Sequence, residues 1–281
     1  MVNEIENALT REDCTTALIL STRLYESQYS DNRIRMLYVS AQGCSAGINM
    51  YEVYQELTSL SPLNPIADFV RIFSSLPSDT KMQSTWSAMD ALQSVLAPGT
   101  VVSVPDQTLS QVHNPGSVNY QDLTSDAKVY GLFLSMAALG TTLNRKGSLA
   151  TTELTWVNNG VVSNQVRFNN VLNDTSEAAC SIASAYLMFL DSAAAVQPLL
   201  PSAAGSAVSL AVTALSAVET AGTVFCTTGV AKPGAAASPV YTALQCTEAL
   251  RRLRYRASCS ESPVISMIAT GILYGVDQAW Q

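Results

Sequence analysis

The sequence predicts an all-α protein built from antiparallel helix hairpins, arranged as an irregular bundle or a solenoid. Three observations predict it. Apolar residues recur every three to four positions in one segment after another. Small Ala, Ser and Gly residues lie on those stripes, where two helices can touch, and Pro or Gly interrupts the pattern at helix-length intervals. With 281 residues, 48% of them hydrophobic, the chain can bury a continuous core and reads as a single helical domain over 1–281.

The elements follow in order. Residues 13–27, DCTTALILSTRLYES, bring Ala17, Leu20, Leu24 and Tyr25 near one helical face, and Asp13 can cap the start. QYSDN breaks the pattern. RIRMLYVSAQGCSAG then places Ile34, Leu37, Tyr38, Ala41 and Ser45 on a second stripe, so the two segments form a hairpin. A third helix over 49–60 ends before Pro62 and Pro65, a fourth in PIADFVRIFSSL ends at Pro77, and a fifth opens at Ser78 or Asp79 and closes at Pro98-Gly99. Residues 98–124, with Pro98, Pro105, Pro115, Gly99 and Gly116, have no sustained period and read as a long loop. A helix capped by Ser125 and stopped by Gly147 follows. Asn159-Gly160 between β-branched residues is a hairpin signal, which gives a small two-stranded excursion over about 154–168. Further helices are expected at 176–196, 205–225, 239–256 and 262–279.

Composition narrows the function classes. Only 13% of residues are charged and the formal net charge is -7, which opposes the Lys and Arg contacts that nucleic-acid binding requires. The most apolar stretch, AGSAVSLAVTALSAVETAGTVF, is rich in small residues and carries Glu219, which suits a closely packed bundle helix better than a membrane span. The opening MVNEIENALTRED is acidic and polar and does not read as a secretory signal.

Six cysteines, at 14, 44, 180, 226, 246 and 259, show no C-x-x-C spacing for zinc or redox chemistry. In an antiparallel hairpin, residues equidistant from the turn lie side by side. Cys14 and Cys44 are equidistant from residue 29, inside QYSDN, and Cys180 and Cys226 from residue 203, inside QPLLPSAAGS, so each pair is expected to form a disulfide. A continuous helix would hold Cys246 and Cys259 about 20 Å apart. Their pairing requires the helix to end near Tyr255 and fold back. Native disulfides would place the protein outside the cytoplasm.

GCSAG, residues 43–47, fits the G-x-S-x-G pattern of a hydrolase nucleophile elbow with Ser45 at its centre. An elbow needs a strand, a strained turn and then a helix. Here the pattern lies within a helical stripe, and the one histidine, His113, lies in the Pro/Gly loop, so a Ser45–His113 hydrolase is the weaker alternative. Arg251, Arg252, Arg254 and Arg256 in LRRLRYR offer an anion-binding strip, against the simpler reading of a solvated helix face complementing a helix C-terminus. Asn173-Asp174-Thr175 is a glycosylation triplet that also reads as a helix cap, and Trp86, Trp156 and Trp280 read as core. Nothing in the sequence calls for a metal or a cofactor.

A 34-residue frame with Ala41 at its eighth place puts Leu37 at the fourth, Val53 at the twentieth, Leu57 at the twenty-fourth and Pro65 at the thirty-second, an outline match to a tetratricopeptide repeat. Leu139-Gly140 falls on the repeat's L-G step. The first 60 or so residues, from LTREDCTTALILSTRLYESQ through GCSAGINMYEVYQEL, resemble the start of helical, tetratricopeptide-like bacterial envelope lipoproteins. They are also similar to the helical periplasmic partner proteins of tripartite (TRAP) substrate transporters. That resemblance implies a periplasmic or outer-membrane-tethered helical scaffold, whose lipid-bearing cysteine Met1 would replace and whose only membrane contact is that lost anchor. The expected function is therefore non-catalytic: binding of a partner protein or small ligand in a groove between helix pairs, with homo-oligomerisation allowed. A structural assembly subunit is the remaining alternative.

Overall fold

A computed structural model describes residues 1–28, 31–49, 53, 79–92, 125–150, 153–156, 175–197, 202–229, 240–253 and 262–279. Among them are nine helices: α1 (Val2–Thr10), α2 (Cys14–Ser27), α3 (Asn32–Ser45), α4 (Asp79–Leu92), α5 (Ser125–Lys146), α6 (Thr175–Val196), α7 (Ser202–Thr228), α8 (Ala243–Leu253) and α9 (Pro263–Ala279). Two short strands, β1 (Gly147–Ala150) and β2 (Glu153–Trp156), follow α5. The protein is all-α, with one small β-hairpin among the described residues.

Local chemistry sets the helix starts. Asp13 accepts from the Thr16 N–H at 3.1 Å and caps α2, and Asp31 accepts from the Arg33 N–H at 2.8 Å and caps α3. Thr242 and Gln245 form a reciprocal capping box at α8: the Thr242 N–H donates to Gln245 Oε1 at 3.0 Å and the Gln245 N–H to Thr242 Oγ1 at 3.3 Å. Ser262 accepts from the Val264 N–H at 3.3 Å with Pro263 in the first helical position, where a missing N–H costs nothing.

Helix α1 was not expected from the sequence. Val2, Ile5, Ala8 and Leu9 give it an apolar stripe, and Ile5 and Ala8 are buried against α2 and α3. Its end is fixed by the N–H groups of Glu12 and Asp13, which donate to the carbonyls of Leu9 and Ala8 at 3.0 and 2.9 Å. That turn places Glu12 at a φ of 58°, in the left-handed region.

Helix packing runs α2 on α3, α3 on α4, α4 on α5 and α5 on α6. There the chain order breaks: beyond α5, the chief neighbour of α6 is α9, and α9 in turn makes the most extensive contact of the described elements, with α7. α6 and α7 touch only slightly, so α9 separates two helices that precede it, and α8 rests on α9, α7 and α6. Residues 131–141 of α5 and 180–189 of α6 are buried on every face, which is the burial of a bundle centre. Small residues in GLFLSMAALGT and CSIASAYLMFL alternate with Leu132, Leu134, Met136, Tyr186 and Phe189, and so let the two helices approach closely. Trp86 of α4 is buried here as core.

A β-hairpin follows α5 among the described residues, while the Asn159-Gly160 signal lies outside them. β1 pairs antiparallel with β2 in the register Gly147↔Trp156 to Ala150↔Glu153. Gly147 ends α5 and starts that strand. The expected long loop 98–124, the fourth helix and most of the third, and residues 157–168 lie outside the described residues.

Candidate functional site

Helices α2, α3 and α5 converge around GCSAG. Gly43 lies inside α3, where a Cβ would come within 2.9 Å of the Tyr130 hydroxyl from α5. Gly47 closes α3: at a φ of 76°, its N–H donates to the Cys44 carbonyl at 2.8 Å while the Ile48 N–H donates to the Gly43 carbonyl at 3.0 Å. Both glycines of the pattern thus serve helix contact and helix termination. Ser45 occupies the last turn of α3, half-buried, on helical backbone rather than on a strained turn after a strand. His113 lies outside the described residues.

Cys14 and Cys44 are bonded across the α2–α3 hairpin with their Cα atoms 5.3 Å apart, the geometry expected of residues at equal reach from the turn. On the same hairpin Tyr25 and Tyr38 stack with ring centroids 4.4 Å apart and planes within 5°. Gln42 Nε2 donates to the Tyr38 hydroxyl at 2.8 Å. Burial pushes the Tyr38 hydroxyl above its ordinary value, the Gln42 hydrogen bond pulls it down, and the Asp90 and Glu26 carboxylates raise it again. Burial likewise raises Tyr130, partly offset by a hydrogen bond with Ser40. Both phenols therefore stay neutral at ordinary pH and act as hydrogen-bonding and packing groups. Arg35 is buried in α3, with Nη1 donating to Asn32 Oδ1 at 3.2 Å, a position that the helical stripe alone did not single out.

The second expected disulfide is corrected. Cys226 is bonded not to Cys180 but to Cys246, with Cα atoms 6.0 Å apart, which also excludes a bond between Cys246 and Cys259. The reason is the helix order: α9 separates α6 from α7, so the equal-reach rule fails for that pair, whereas α7 and α8 do meet. Cys226 and Cys246 are equidistant from residue 236, inside AKPGAAASPV, so the same rule applied to the next connection finds the observed bond. The Tyr241 N–H, donating to the Cys226 carbonyl at 3.2 Å, fixes the approach of the chain into α8. Cys180 is disulfide-bonded as well, and no described cysteine is a free thiol. With sequence separations of 30 and 20, the two assigned bridges stabilise the fold by ~3–4 kcal/mol each if they act mainly by restricting the unfolded chain.

Of the arginine strip, Arg251 and Arg252 fall in the last turn of α8, and Arg252 is half-buried. Arg254 and Arg256 lie outside the described residues, as do Asn173, Asp174 and Trp280. Among the described residues no group of three or more His, Cys, Asp or Glu could hold a metal ion, and no helix is long and apolar enough to cross a membrane. The disulfide-bonded cysteines point to an oxidising environment outside the cytoplasm. Compared with family models, with curated proteins and with solved structures, the chain matches none.

Proposed function

We propose that this chain is a non-catalytic helical scaffold of the bacterial envelope, periplasmic or tethered to the outer membrane, which holds a partner protein or a small ligand in a groove between helix pairs. The observation that carries the reading is the stapling of neighbouring helices by disulfides, Cys14–Cys44 joining α2 to α3 and Cys226–Cys246 joining α7 to α8. Such bridges suit a chain that must keep a fixed binding surface in an oxidising compartment. The use of Gly43 and Gly47 for packing and helix termination supports the non-catalytic side of the reading. The resemblance of its first 60 or so residues to helical bacterial envelope lipoproteins, and their similarity to the periplasmic partner proteins of TRAP transporters, support the envelope location.

Two measurements test it together. Thiol alkylation of the protein inside intact producing cells, followed by fractionation, should find the protein in the envelope with Cys14, Cys44, Cys226 and Cys246 unmodified; a reduced cytoplasmic protein would overturn the location. Ester turnover by the purified protein should be at background and the same in Ser45→Ala. Turnover lost in that variant with the fold intact would restore the hydrolase.

A further inference from the structure

Four cysteines are accounted for by the Cys14–Cys44 and Cys226–Cys246 bonds, and Cys180 is disulfide-bonded too. The sequence contains six cysteines, so one sulfur remains. We infer that a third bridge joins Cys180 to Cys259, covalently tying the start of α6 to the connection between α8 and α9.

The packing of the described helices agrees with this assignment. Cys180 is 2% exposed, in the part of α6 that is buried on every face, so its sulfur is available only to a group brought in by a packed neighbour. The two elements that flank Cys259 in the sequence, α8 ending at Leu253 and α9 starting at Pro263, both touch α6. Cys259 is six residues from the first and four from the second, and six residues of extended chain reach at most ~20 Å. Oxidation of the two thiols removes two protons and two electrons, delivered to the disulfide of a thiol–disulfide oxidoreductase, which leaves as a dithiol. The consequence lies on the packing level. One bridge joins α7 to α8 and the other joins the α8–α9 connection to α6, so the two helices on either side of α9 become linked through α8 by covalent bonds. Contact between α6 and α7, slight in itself, is thereby replaced by a covalent route.

The experiment is a peptide map of the native, oxidised protein, alkylated without reductant and digested at acidic pH. Trypsin would leave Cys180, Cys226 and Cys246 on one fragment, because Lys232 precedes Pro233 and no other Lys or Arg lies between Arg167 and Arg251. Cleavage after aromatic residues separates them, at Tyr186 and Phe189 between Cys180 and Cys226, and at Tyr255 between Cys246 and Cys259. The expected result is a cross-linked pair carrying Cys180 and Cys259 that disappears on reduction. Alkylated Cys259, or Cys180 linked to any other residue, overturns the assignment. In the variant Cys259→Ser, one thiol should appear on unfolding and map to Cys180; mapping to Cys226 or Cys246 would overturn it as well. The wild-type map decides the matter even if that variant does not fold, and it decides it whether or not the protein proves to be a binding scaffold.

Discussion

Replacing Gly271 by Ala tests the crossing of α7 and α9. An added Cβ at Gly271 would stand 2.7 Å from Phe225 Cβ and 3.0 Å from Gly222 Cα, and both of those atoms move only with the α7 backbone. Ordinary carbon contacts lie near ~3.7 Å, so the helices must separate by roughly 1 Å along a contact that also seats Ile268 and Ile272, both buried. Overpacking of this kind costs about 1–3 kcal/mol, and a clash against backbone belongs in the upper part of that range. Against it, Ala is a better helix former than Gly by about 0.8–1 kcal/mol in a helix interior. The net expectation is a loss of about 1–2 kcal/mol. The assay is guanidinium unfolding with disulfides intact, followed by far-UV circular dichroism, in which the midpoint falls while the slope stays constant. The sign carries the reasoning. If the two helices did not meet backbone to backbone, propensity alone would operate, and a more stable Gly271→Ala protein would refute the crossing.

Other expectations follow from the helix ends. Glu12→Gly should stabilise the protein by about 1 kcal/mol, because the turn between α1 and α2 holds Glu12 at a φ of 58° and glycine adopts that conformation without a Cβ penalty. An unchanged or lower unfolding midpoint would mean that Glu12 contributes a contact worth as much as the strain. Asp13 is held below its ordinary value of 3.8 by the hydrogen bonds that it accepts from Thr16, side chain first and backbone second. A depressed folded value makes the stabilisation fully present above the unfolded value and lost as pH falls through the folded one. Asp13→Ala should therefore lower stability at neutral pH, and the gap from the wild type should shrink as pH drops below 3.8; a gap that stays constant with pH would show that the charge is not what caps α2.

Local elements were legible because their causes are local. The stripe in DCTTALILSTRLYES with Asp13 ahead of it gives α2, and Ser125 marks the first residue of α5. Helix α1 carries the same period in Val2, Ile5, Ala8 and Leu9, but its stripe is short and set among acidic and polar residues, so the local pattern is weak. The order of α6, α9 and α7 in space was not legible. Side-by-side packing of helices that adjoin in sequence was the natural expectation for α6 and α7, and no local pattern reports that a later helix will come between them. The small residues of AGSAVSLAVTALSAVETAGTVF did forecast close packing of α7, and the partner they await, α9, is two helices further on. At GCSAG periodicity placed Ser45 in a helix, where α3 has it, but the Tyr130 hydroxyl that explains Gly43 comes from a segment some ninety residues away.

The insertion of Pro263–Ala279 between two earlier helices has a bearing on biosynthesis. Before α9 is made, α6 has α5 to pack on, whereas the faces that α6 and α7 turn to α9 are covered only slightly by each other. The packing of this half is complete only once α9 has been made, because α9 supplies the main contact of α7 and a principal contact of α6.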